Sequence, residues 1–129
     1  MNDVRPWAIT TLAGAALAVV AAFMPWVTAT AGIFTVSRDG IDGDGQLTLI
    51  AALFVAGFAL LELLGAARAH AWLAALSITG GVGILGVAAY HIIDIADAGL
   101  KVGGGLYLTA IAAVVVLAGG TGTIVKAKP

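Results

Sequence analysis

The sequence predicts an all-α integral membrane protein, a four-helix antiparallel bundle that occupies the whole chain as a single membrane domain. Two observations carry this expectation. Hydrophobic residues make up 61% of the 129 residues and charged residues only 10%, against about 45–50% and about 25% in an ordinary soluble domain. A chain this short has too little interior to hide so much apolar surface from water. The second observation is spacing: residues 7–28, 47–66, 71–93 and 106–125 form apolar stretches close to the roughly 20 residues that cross about 30 Å of hydrocarbon. These runs are continuous and Ala-rich, unlike the alternation of a membrane β-barrel. A net charge of −1 leaves no basic field for nucleic acid. The absence of cysteine excludes disulfides, thiolate metal sites and cysteine nucleophiles.

The first span, 7–28, precedes Ala29-Thr30-Ala31, which resembles a small-x-small cleavage site. Its apolar stretch is longer than the 7–15 residues typical of a signal-peptide core, about a turn or more beyond that range, so a retained helix is expected. Pro25 is expected to kink or end that helix, because proline lacks the N–H and crowds the preceding turn. Trp7, Trp26 and Trp72 fall at expected helix ends, where an indole buries its ring and keeps its N–H in water. An exoplasmic loop, 29–46, leads to the second span. The link from the second to the third span is so short that the two must form an antiparallel hairpin. A further exoplasmic loop, 94–105, ends in Gly103-Gly104-Gly105 before the fourth span. No strand or Gly-Lys-Ser/Thr accompanies these glycines, so they are not a phosphate loop.

Orientation follows from the basic residues. Arg5, Arg68, Lys126 and Lys128 lie on one side of the four spans, and Arg38 and Lys101 on the other. The positive-inside rule then expects a multi-pass protein of the cell membrane with both termini cytoplasmic. Asp39, Asp42, Asp44, Asp94 and Asp97 all fall outside in that arrangement.

Helices in lipid associate through close backbone approach, which needs small residues. Gly14 with Ala18, Ser77 with Gly81, and Ala118 with Gly122 are small-xxx-small pairs. Thr79, Gly83, Gly86 and Tyr90 share one face of the third helix by their three- and four-residue steps. Packing within the bundle is the expected use of these positions, with a homo-oligomer or another membrane protein as the alternative partner.

Few residues could carry chemistry. Glu62 is the acidic residue inside a span, about 6 Å from the cytoplasmic end of its helix. Intramembrane ionisable residues are functional candidates because an exposed charge there is costly. Pairing with Arg5 or Arg68 is the expected role, and proton coupling in a small transporter or channel the alternative. His91 and Asp94, beside Tyr90, stand one helical step apart at the exoplasmic end of the third helix. An interfacial polar cluster is expected there, rather than a proton sensor or half of a metal site. Asp39, Asp42 and Asp44, separated by glycines, imitate the opening of an EF-hand loop. The position that should carry the bidentate Glu is Leu53. Turn formation and helix capping are therefore expected, with weak extracellular calcium binding as the alternative. No Ser-His-Asp arrangement fits. Neither an enzyme nor a resident cofactor is expected.

Three stretches carry a family resemblance: Pro25-Trp26-Val27, then Gly40-Ile41-Asp42-Gly43-Asp44-Gly45 with Leu47-Thr48-Leu49, and Gly103-Gly104-Gly105-Leu106-Tyr107-Leu108. On these, and on the spacing of its spans, the chain resembles small four-helix membrane proteins of actinobacteria and their phages. The resemblance implies inward termini and a long outer first loop; it supplies no activity. The layout is also similar to that of claudins, without the cysteine pair of their first loop or its Gly-Leu-Trp pattern. The expected function is a structural or interaction module, of an envelope-accessory or phage-exclusion type, that uses the Asp/Gly-rich outer loop.

Overall fold

The computed structural model describes residues 5–31, 34–39, 45–64 and 70–127. In chain order the elements are α1 (Arg5–Ala22), β1 (Pro25–Ala31), β2 (Phe34–Asp39), α2 (Gly45–Leu63), α3 (His70–Asp97), β3 (Lys101–Val102) and α4 (Gly104–Ala127). The helices form a ring in which α1 packs on α2, α2 on α3, α3 on α4, and α4 back on α1. Neighbours run antiparallel. Thr11 of α1 meets Gly119 of α4, and Gly14, further along α1, meets Val116, earlier in α4.

The four-helix body agrees with the expectation, but the end of the bundle that follows α1 is not helical. The expected first span reached residue 28, whereas α1 stops at Ala22. Phe23 and Met24 donate their N–H groups to Val20 and Ala21, three residues back, which tightens the last turn. Pro25 then disfavours helix in the residue before it and opens a strand. The stretches expected as loops, 29–46 and 94–105, supply the rest of a three-stranded antiparallel sheet ordered β2-β1-β3. Val27 to Ala31 pair in register with Arg38 to Phe34, after an irregularity between Pro25 and Val27. Val27 and Thr28 pair with Val102 and Lys101, so the α1–α2 and α3–α4 connections meet in one sheet.

Within the bundle the interior is mostly alanine. Ala18, Ala52, Ile84, Ala112 and Ala113 form one buried cluster; Ala15, Val55 and Val116 form another. Short side chains let the helices approach closely, the packing expected in lipid. A separate outer core joins the sheet to the bundle: Trp26, Ala88, Ile95 and Leu106 are buried together, with Val27 and Val102 against them. The outer surface is also apolar, with Leu53, Phe54, Val82, Ile111 and Val114 all more than half exposed. Such a surface needs lipid or a partner to cover it.

α2, α3 and α4 are each long and apolar enough to cross a membrane; α1 contains a shorter apolar helix, Pro6–Ala22. At about 1.5 Å per residue α1 spans about 27 Å and α3 about 42 Å. The excess length of α3 carries it past the bundle to the level of the sheet. It ends in a Schellman motif: Leu100 N–H donates to Ile95, Gly99 N–H donates to Ala96, and Gly99 takes a φ of 77°.

Candidate functional site

Two places gather polar groups among the described residues: the interior of the bundle toward the α2 C-terminus, and the outer cap where α3 meets the sheet. Thr11, Thr48, Glu62, Ser77, Thr109 and Thr123 are buried. Most of these hydroxyls are committed. Thr11, Thr109 and Thr123 donate to the carbonyls of Trp7, Gly105 and Gly119, four residues back, at 2.8–3.0 Å. Thr48 donates to Gly45 at 2.9 Å. Even the exposed Thr10 and Thr79 bond back along their own helices in this way.

Glu62 and Ser77 are different. Glu62 is 3% exposed and Ser77 is 0% exposed. Neither Glu62 oxygen, nor the Ser77 hydroxyl, has a hydrogen-bond partner among the described residues. The α2–α3 register places the two about one helical turn apart along the bundle, at about 1.5 Å per residue, and they do not hydrogen-bond each other. A Cβ on Gly80 would stand 2.6 Å from Val55 Cγ2, so these positions face each other. Ser77 is one helical step before Gly80, and Glu62 is two turns beyond Val55 on the same face. Side chains lean toward the N-terminus of their own helix. In an antiparallel pair this tilts Glu62 and Ser77 toward one another. Ala59, Leu73 and Ala74, all buried apolar residues, surround the same levels. Sequence reasoning assigned Ser77 to packing alone; the missed signal is a serine on the buried stripe it shares with Ile84 and Ala88. The side chains of Arg5 and Arg68, expected partners of Glu62, lie outside the described residues.

At the outer cap, the His91 ring stands 5.8 Å from that of Trp26 and packs edge-on to Tyr90 at 5.3 Å. Tyr90 and Asp94 are exposed. Trp26, expected at a wet helix end, is 5% exposed; its indole N–H donates to the Ala21 carbonyl at 3.0 Å. Gly103 N–H donates to the Trp26 carbonyl at 2.8 Å, and a Cβ on Gly103 would collide with the Pro25 carbonyl. The glycines before α4 thus let its start press against β1.

The expected packing residues divide. Gly14 meets Val116, Gly81 meets Leu117, and a Cβ on Gly122 would strike the Trp7 ring. Ala18 and Ser77 are buried. Gly83 and Gly86 have nothing within 4 Å of an added Cβ. With Thr79, Tyr90 and Ala118 they are exposed, so the third-helix face expected inside the bundle points outward. The reason is rotation: Gly81, Ile84 and Ala88 take the buried side of α3.

Asp42 and Asp44 lie outside the described residues, as does the Asp39 side chain, so the calcium and capping expectations fall there. Among the described residues no three His, Asp or Glu side chains gather around a common point. An apolar groove of about 590 Å³ runs along α2 beside Leu53, Phe54 and Phe58. A smaller one of about 150 Å³ lies between Ala51 of α2 and Gly83 of α3. No protein-family model matches the chain, and no curated protein matches it.

Proposed function

We propose that the chain is a four-pass protein of the cell membrane, both termini cytoplasmic, acting as a structural or interaction module. Its outer sheet and the Asp/Gly-rich residues 39–45 face a second copy or another membrane protein. One observation carries this reading: both outer connections are tied into a single sheet, clamped to the bundle through Trp26 and Gly103. A fixed platform of this kind anchors the chain at Asp39, the last residue of β2, where the Asp-rich segment begins. Preorganisation lowers the ordering cost of binding. An envelope-accessory or phage-exclusion role fits such a module, on the resemblance already drawn.

The test replaces residues 40–44 with a Gly/Ser segment of equal length and crosslinks intact cells with a membrane-impermeant reagent. Membrane insertion and thermal stability should be unchanged, while the crosslinked species formed by the wild type disappears. Unchanged crosslinking would contradict the role of this segment.

A second reading is favoured by the buried Glu62 carboxyl, which has no hydrogen-bond partner among the described residues: a small proton-coupled transporter or channel. It requires that Glu62→Gln abolish proton flux in vesicles while leaving the fold intact.

A further inference from the structure

We propose that Glu62 and Ser77 form an interior oxygen site that holds one monovalent cation, with a proton as its occupant. The inference deepens the second reading above and rests on it for direction, yet it concerns binding and needs no flux.

Three observations lead to it. Both Glu62 oxygens are buried without a donor among the described residues. Ser77 is fully buried, and its hydroxyl makes no bond to the turn behind it. The Gly80–Val55 contact fixes a register in which the two stand about one turn apart on facing helices and lean toward each other's level, without a bond between them. A carboxylate stripped of water and donors is held poorly; the same carboxyl carrying a proton is neutral and can bond to a nearby hydroxyl. Ser77 can accept from the protonated acid or donate to the ionised one, which suits a group that changes state.

The surroundings narrow the ligand. Facing this region, α1 contributes Ala8 and Thr11, α3 contributes Leu73 and Ala74, and α4 contributes Thr123, all buried. None of these carries charge. The other ionisable side chains toward this end are those of Asp3, Arg5, Arg68, His70, Lys126 and Lys128, which lie outside the described residues. One carboxylate and hydroxyl oxygens do not neutralise a divalent ion, and calcium takes six to eight oxygens, typically about seven. A soft metal would want sulfur or imidazole. A single positive charge is what this set can hold.

The experiment uses the full chain in lipid nanodiscs and dicyclohexylcarbodiimide, an apolar reagent for protonated carboxyls. The acid proton moves to a carbodiimide nitrogen and the carboxylate oxygen bonds to the central carbon, so the whole reagent mass is added. Peptide mass analysis of the wild type should find one adduct, on Glu62, that declines as pH rises. Ser77→Ala should extend labelling to higher pH, because the carboxylate loses its donor, and Ser77→Thr should restore the wild-type profile. Sodium at fixed pH separates the occupants: indifference assigns the site to the proton, and protection shows that sodium also enters it. An unlabelled Glu62 at every pH, as a hidden arginine partner would produce, overturns the proposal. So does labelling that Ser77→Ala leaves unmoved. Labelling without flux would leave the site standing and remove the transport reading; flux without labelling would do the reverse.

Discussion

The indole N–H of Trp26 donates to the carbonyl of Ala21 at 3.0 Å, so the first residues of β1 close the C-terminus of α1. A helix end leaves carbonyls without partners, and here the strand that follows supplies one donor from a ring that also fills the outer core. Trp26→Phe keeps most of the ring and removes the donor. It should cost about 0.5–1.5 kcal/mol, the net contribution of one hydrogen bond, because the Ala21 carbonyl still accepts from the Met24 N–H. Trp26→Ala removes the ring as well and should cost about 3–5 kcal/mol. Denaturant titration in detergent measures both: no loss in Trp26→Phe would mean that the hydrogen bond contributes nothing, and equal losses would mean that the ring's packing contributes nothing.

Gly80 and Val55 set the spacing of α2 and α3. The added methyl of Gly80→Ala meets Val55 Cγ2 at 2.6 Å and otherwise only Ala51 O at 4.0 Å. Overpacking of this kind costs about 1–3 kcal/mol. Val55→Ala removes the colliding atom, so the double variant should be more stable than the sum of the singles. Contacting residues couple by about 0.5–3 kcal/mol. Gly83→Ala, in open space, should instead be neutral or stabilising by up to about 1 kcal/mol from helix propensity. Thermal melts of the four variants, singly and paired, give the comparison.

Gly99 at φ 77° ends α3 and launches β3. An L side chain in that region costs roughly 1–2 kcal/mol. Gly99→Ala should destabilise by that amount and Gly99→Asn by less, since asparagine tolerates the left-handed region. Equal losses for both would place the effect in side-chain size instead of backbone geometry.

Glu62 offers a stability test independent of any ligand. Replacing an unsatisfied buried group by an apolar one of similar shape is nearly neutral or stabilising. Glu62→Met should therefore leave stability unchanged or raise it. A loss of about 3–5 kcal/mol would reveal a charged partner left unpaired.

The helices were legible because length and apolar composition decide them almost alone. α2, α3 and α4 begin and end within a few residues of the expected spans. α1 was overextended because Met24 to Val27 is as apolar as the helix before it. Strand pairing decides that segment, with the adjacent β2 and with β3, far along the chain. The short link between α2 and α3 announced their hairpin, whereas the closure of the ring through α1 and α4 is visible only in contacts such as Gly119 with Thr11. Small-residue periodicity found the faces of α3 but not which one is inward: Gly83 and Gly81 stand two positions apart, on opposite outcomes. Glu62 was legible as a candidate by its charge. Ser77 needed the fold, because a serine and its threonine neighbours look alike until their hydrogen bonds are known.

The proposed arrangement of the chain in a bilayer underlies every functional statement. Because the chain has no cysteine, single cysteines can report position without background. Asp42→Cys and Lys128→Cys, each in intact cells, should respond oppositely to a membrane-impermeant maleimide. The account predicts labelling of the first from outside and of the second only after the membrane is opened. Labelling of Lys128→Cys in sealed cells, or protection of Asp42→Cys, would contradict it.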